Sequence, residues 1–198
     1  MANVDKPMGL VPVKTLNGAP WNGQANIYHV DSTEANALAI GDPVYFAGTA
    51  DANGIASVTL ATAGTGNPIL GVIVGWGTKE GLMADPSNLD STIIPAAKTK
   101  DYYVMVVDDP NTIFEVQEVS GGTALAATEV GLNANLIAGT DNGYVSGWEV
   151  NNSGEVVTAT LQVRLLGLAR RSDNAFGEHA KWLVLINNHA YRIGQVGL

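Results

Sequence analysis

There is no cysteine in the 198 residues of this chain. Disulfides, thiolate zinc sites, iron–sulfur clusters and cysteine nucleophiles are thereby excluded, and folding needs no particular redox compartment. Charge is also scarce: Asp, Glu, Lys and Arg make up only 15% of the chain. The 10 basic residues face 19 acidic ones, for a net charge of −9, and Arg170-Arg171 is their one adjacent pair. Binding a phosphate backbone takes clustered Lys and Arg, so no nucleic-acid partner is expected. An anionic membrane surface would repel the chain in the same way. No apolar run approaches the roughly 20 residues of a membrane-spanning helix, and the N-terminus shows no basic-then-apolar leader. The expectation is a protein made and folded in a cytoplasm, with no membrane partner.

Helix signals are the third shortage. The longest helix-compatible stretch, TALAATEVGLNANLI (123–137), is interrupted by Gly131. It predicts a short helix or turn near residues 124–128 at most.

What the chain has in abundance is strand and turn chemistry. Short runs rich in Val, Ile, Tyr and Thr occur at ANIYHV (25–30), PVYFA (43–47), GIASVTLA (54–61), ILGVIVGW (69–76), YYVMVV (102–107), TIFEVQE (112–118), EVVTATLQVRLLGLA (155–169) and KWLVLIN (181–187). DANG, GTGNP, DDPN, SGG, TDNG and NNSG separate them, and Asn-Gly supplies the positive φ of tight turns. Many short strands without long helices between them predict an all-β fold. We expect an antiparallel β-barrel or sandwich, with a jelly-roll-like form among the options. Within residues 156–166, Val156, Thr158, Thr160, Gln162 and Arg164 alternate with apolar residues, which predicts a half-buried strand with a polar outer face. ILGVIVGW is apolar on both faces and should lie centrally.

A faint echo links AGTADANG (47–54), followed by ILGVIVG (69–75), to AGTDNG (138–143), followed by LLGLAR (165–170). Two β units within residues 24–198 would explain it, with the unpatterned residues 78–100 as a long loop between them.

Catalytic and cofactor signatures are missing. His29, His179 and His189 show neither HExxH nor His-x-His spacing, so no metal and no cofactor is expected. Asp108-Asp109 before Pro110-Asn111 reads as a strand-ending turn. Glu115 and Glu118, three apart on a strand, point to opposite faces and make a poor acid/base pair. GTGNPILG and GWGTKEG lack the Lys and the following helix of a phosphate loop. No G-x-S-x-G elbow occurs. Trp21, Trp76, Trp148 and Trp182 are dispersed and read as core or interface anchors.

Residues 1–23, MANVDKPMGLVPVKTLNGAPWNG, are oily yet unable to form a helix, because Pro7, Pro12 and Pro20 alternate with Gly9, Gly18 and Gly23. Such an extended arm has two homes, its own sheet or a neighbouring molecule. The chemistry of the segment does not choose between them.

The string from Lys6 to Gln24, with its KPMGLVPVKTLNG and NGQ, resembles the N-terminus of small structural proteins of tailed bacteriophages, encoded beside the major capsid protein. Gly41-Asp42, Val44, Gly48, Asp51, Gly54-Ile55 and Leu70-Gly71-Val72 continue the likeness. So do YYVMVVDDPNTIFEVQE (102–118), GLNANLI (131–137) and RRSDNAFGEHAKWLVLINNH (170–189). The resemblance implies a head decoration or cement protein, a non-enzymatic component of the virion that binds the major capsid protein as a homo-oligomer, a trimer favoured. It tips the arm toward a neighbour. Leu10, Val11, Val13, Leu16 and Trp21 on the arm, with Leu82 and Met83 on the long loop, are the expected partner contacts. Deletion of residues 1–23 is then expected to leave the β core folded but to abolish shell binding. A tail or fibre module and a carbohydrate-binding β domain are the alternatives.

Overall fold

The computed structural model describes residues 3–78 and 92–192. Among these the fold is nearly all β, with one 3-10 turn at Ala127–Glu129 close to the place the sequence allows a helical turn. β1 (Val11–Thr15) comes first. β2 (Asn26–Val30), β3 (Pro43–Ala50), β4 (Ala56–Leu60), β5 (Gly71–Gly77) and β6 (Tyr102–Val107) follow. β7 (Thr112–Gln117), the two-residue strands β8 (Asn133–Ala134), β9 (Leu136–Ile137) and β10 (Glu149–Val150), then β11 (Val163–Leu168) and β12 (Lys181–Ile186) complete the order.

Two β units result. The first is a closed five-stranded barrel in the order β2-β4-β3-β5-β6. Its pairings are antiparallel except at the seam, where β2 meets β4 in parallel at His29 and Ser57. There the His29 Nδ1 and Ser57 Oγ atoms lie 2.8 Å apart in a buried hydrogen bond, which fastens the closure. The second unit is an antiparallel five-stranded sheet, β1-β7-β12-β11-β8, beside the β9–β10 ribbon. This division differs from the eight strands of a jelly roll.

Each unit has its own core. Tyr28, Val44, Val58, Ile73, Val104 and Val106 fill the barrel; Phe114, Val116, Trp148, Val163, Leu165 and Trp182 fill the second unit. β5 explains its own two-sided apolarity, because Ile73 faces the barrel core while Val72 joins the other. The end of the long loop also belongs to the barrel: Leu38 and Ile94, both fully buried, exchange backbone hydrogen bonds of 2.9 and 2.8 Å.

The expectation for residues 156–166 requires correction. Strand β11 starts only at Val163, and Val157 is 84% exposed. Its neighbour β8 is two residues long, so there is no ladder for a longer strand to follow. Gln162, expected on the polar outer face, is fully buried. Its amide donates to the carbonyls of Thr62 and Asn67 and accepts from the N–H groups of Gly64 and Leu136. Buried amides demand such partners, and here they stitch a barrel loop to the second unit.

The arm requires a second correction. Residues 11–15 are not a free extension but β1, paired with β7 from Val11–Glu115 to Thr15–Thr112 with a bulge between Pro12 and Lys14. Leu10 is only 1% exposed and belongs to the chain's own second core. Its side chain thus serves the chain's own core first. Truncation of residues 1–23 would open that core and strip β7 of one of its two neighbours, leaving only β12, so the expected folded remainder does not follow.

Candidate functional site

The N-terminal segment reaches its place through a close crossing of two glycines. Gly9 and Gly41 both adopt positive φ, at 66° and 94°. A β-carbon on Gly9 would stand 2.5 Å from the Gly41 carbonyl oxygen and 2.4 Å from Ser146 Cβ, and one on Gly41 would stand 2.5 Å from the Met8 carbonyl oxygen. Only glycine fits either position. The Leu10 N–H donates to the Gly41 carbonyl at 3.0 Å, and Gly41 N–H donates to Ile73 of β5 at 2.8 Å. The Ser146 N–H closes the joint by donating to Ile40 at 2.9 Å. The opening oily segment thus runs between the two β units and packs against both.

Asp42 sits at this joint, 5% exposed. Its carboxylate accepts from the Ala39 N–H at 2.7 Å and from the Ser146 hydroxyl. Burial pushes its pKa up to about 6; the two hydrogen bonds oppose that rise, and the nearby Asp141 charge adds to it.

Beside the crossing lies a groove of about 340 Å³ whose lining is almost wholly apolar. Leu10, Val11 and Trp21 line it, together with Met8, Ile40 and Val145. Leu10 forms its floor from the core side. Val11 is 37% exposed and Ile40 39%. Trp21 is half-buried against the second core, and its indole N–H donates to the Gln24 carbonyl at 3.0 Å. Val13, also 37% exposed, and Leu16, at 51%, stand outside the groove. After Leu16 the chain turns back: Thr15 N–H donates to Ala19, and Trp21 N–H to Val13. This return covers part of the outer edge of β1, which blunts it against unspecific strand pairing. Leu82 and Met83, the expected loop contacts, lie outside the described residues.

Of the expected contacts, the fold therefore gathers Leu10, Val11 and Trp21 at one groove and leaves Val13 and Leu16 on the adjoining surface. Ile40 and Val145 were missed. Ile40 directly precedes Gly41-Asp42, and an apolar residue before a turn reads as core; only the crossing of residue 9 over residue 41 brings it to the surface beside the arm.

The other sequence candidates find structural employment. Asp108 accepts from the Asn26 amide and, at 2.6 Å, from the Tyr28 hydroxyl. Asp109 accepts from the Asn111 N–H in the expected turn. Glu118 is fully buried and accepts from Leu125 N–H, the Asn152 amide and the Trp182 indole, while Glu115 pairs with Arg171 at 2.9 Å. Those two carboxylates have separate partners. Ser57, His29 and Asp101 fall in a row, with His29 Nε2 3.5 Å from Asp101 Oδ2. Ser57 is 1% exposed, however, so its hydroxyl has no open approach for a substrate. Trp148 and Trp182 are core residues, and Trp21 and Trp76 are half-buried.

Comparisons with protein-family models, with curated proteins and with solved structures give no significant match.

Proposed function

We propose that the chain is a capsid decoration or cement protein of a tailed bacteriophage, which binds the outer surface of the head and stabilises the shell by protein–protein contacts. The resemblance of residues 6–24, 41–72, 102–118 and 170–189 supports this reading. The observation that carries it in the fold is the apolar groove beside β1, continued by Val13 and Leu16. A surface of this kind is suited to receiving apolar side chains of a partner. Its partner is the major capsid protein, and the chain acts as a homo-oligomer, a trimer favoured. It works without catalysis. Modest contacts repeated over the lattice add by avidity, and preference for the mature shell stabilises that state by mass action.

A carbohydrate-binding role draws no support from the tryptophans, since none of the four is exposed. A stacking platform needs open ring faces. Gold labelling of a tagged chain in intact virions tests the reading: label over the head surface supports it, and label confined to the tail or fibres assigns the chain to the alternative virion role. Light scattering on the eluting protein checks the trimer.

A further inference from the structure

We propose that Asp5, Glu149 and His179 form a binding site for one first-row divalent metal ion, with zinc the best fit. Their ligand atoms lie within 4.8 Å of one another. They come from three distant parts of the chain: the N-terminal segment, the start of β10, and the loop before β12. Sequence spacing could not reveal such a set, because 144 residues separate the first two.

The imidazole supplies the observation beyond proximity. His179 Nδ1 is inaccessible to solvent and has no hydrogen-bond partner, yet it points to the carboxylates, 3.5 Å from Asp5 Oδ1. That distance makes an ion pair but leaves the nitrogen lone pair or proton without a true hydrogen bond. A metal ion would occupy this direction. Behind the cluster stands Gln117, fully buried at the end of β7. Its amide N–H groups donate to Asp5 Oδ1 and to Glu149 Oε1, each at 2.9 Å, and its carbonyl accepts from Lys6 N–H at 2.9 Å. A buried amide that orients two carboxylates is the support ligating groups require.

The donor set selects the ion. Calcium and magnesium favour all-oxygen sites. One imidazole and two carboxylates suit zinc and its neighbours, with water completing four-coordination. Tetrahedral ligands around zinc are about 3.4 Å apart. The Asp5 side chain, 62% exposed, has room for the rotation that closes the remaining gap. Asn3 already ties this segment to the same loop, through bonds to the backbone of Ala175 and Glu178. The ion would staple the N-terminus to the second unit and favour the folded state.

Calorimetric titration of the full chain with zinc chloride tests this, with Glu149→Gln and His179→Gly beside wild type. The glycine variant removes the imidazole and also suits the left-handed backbone of residue 179, whose φ is 59°. One ion per chain is expected in wild type, with a rise in melting temperature, and at least tenfold weaker binding in each variant. Zinc-induced shifts of the His179 ring resonances, with those of His29 and His189 unmoved, are expected in wild type and need no variant to fold. Absence of binding, equal affinity in the variants, or calcium binding as tightly as zinc would overturn the proposal.

Discussion

Leu10 and Val13 lie three positions apart on one segment and should answer substitution in opposite ways. Leu10 fills the second core, so Leu10→Ala is expected to cost about 2–5 kcal/mol in urea denaturation. Val13 is partly exposed, so Val13→Asp should change stability by only about 0.5 kcal/mol while weakening attachment to a shell. Equal losses of stability would refute the division of the arm into a buried and a presented side. Asp42 and His189 make a second opposed pair. Burial, reinforced by Arg192 and opposed by Asp108 and Asp109, pulls the His189 pKa down to about 4 from 6.5. Between those values the unfolded chain holds a proton on His189 that the folded chain lacks, so its effect is to lower stability as pH falls. Asp42, raised from 3.8 to about 6, is protonated first in the folded state, so its effect is to raise stability as pH falls through the same range. The two slopes offset each other. Relative to wild type, Asp42→Asn should lose stability on acidification from about pH 6 to about 4, and His189→Asn should gain it. Denaturation midpoints across that range decide; variants that keep the wild-type slope contradict the assignment.

At the scale of elements, β1 depends on the glycine crossing behind it. Gly9→Ala adds a β-carbon against two neighbours and forces an unfavourable φ, and should destabilise by about 1–3 kcal/mol or more. Hydrogen exchange should then show β1 and its partner β7 losing protection ahead of the barrel strands. Uniform loss would mean that the segment does not open separately. Most strands could be read in the sequence because alternation and Asn-Gly turns act locally: ANIYHV, PVYFA, YYVMVV, TIFEVQ and KWLVLI all pair near their expected bounds. Residues 155–162 misled because a strand needs a neighbour as well as a pattern, and β8 offers only two residues. The fate of the arm was illegible for a related reason. Pro and Gly exclude a helix, but they do not say which sheet edge receives the chain. The groove and the Asp5, Glu149 and His179 cluster depend on contacts between distant segments, and no local spacing encodes those.

At the largest scale the described residues form a pair of β units joined by the N-terminal segment, by the buried amide of Gln162 and by β5, a barrel strand whose side chains reach both cores. Such a joint fixes the apolar groove in position on a firm scaffold, and a preformed surface loses less entropy on binding. The N-terminal segment completes the fold through Leu10, and under the proposed function Val11 and Val13 of β1 are the residues that would meet the shell. The most direct test is co-sedimentation of the purified chain with emptied mature heads that lack it. Wild type should bind saturably, and the folded double variant Val11→Asp, Val13→Asp should remain in the supernatant. Undiminished binding by that variant, or failure of wild type to bind, would contradict the account.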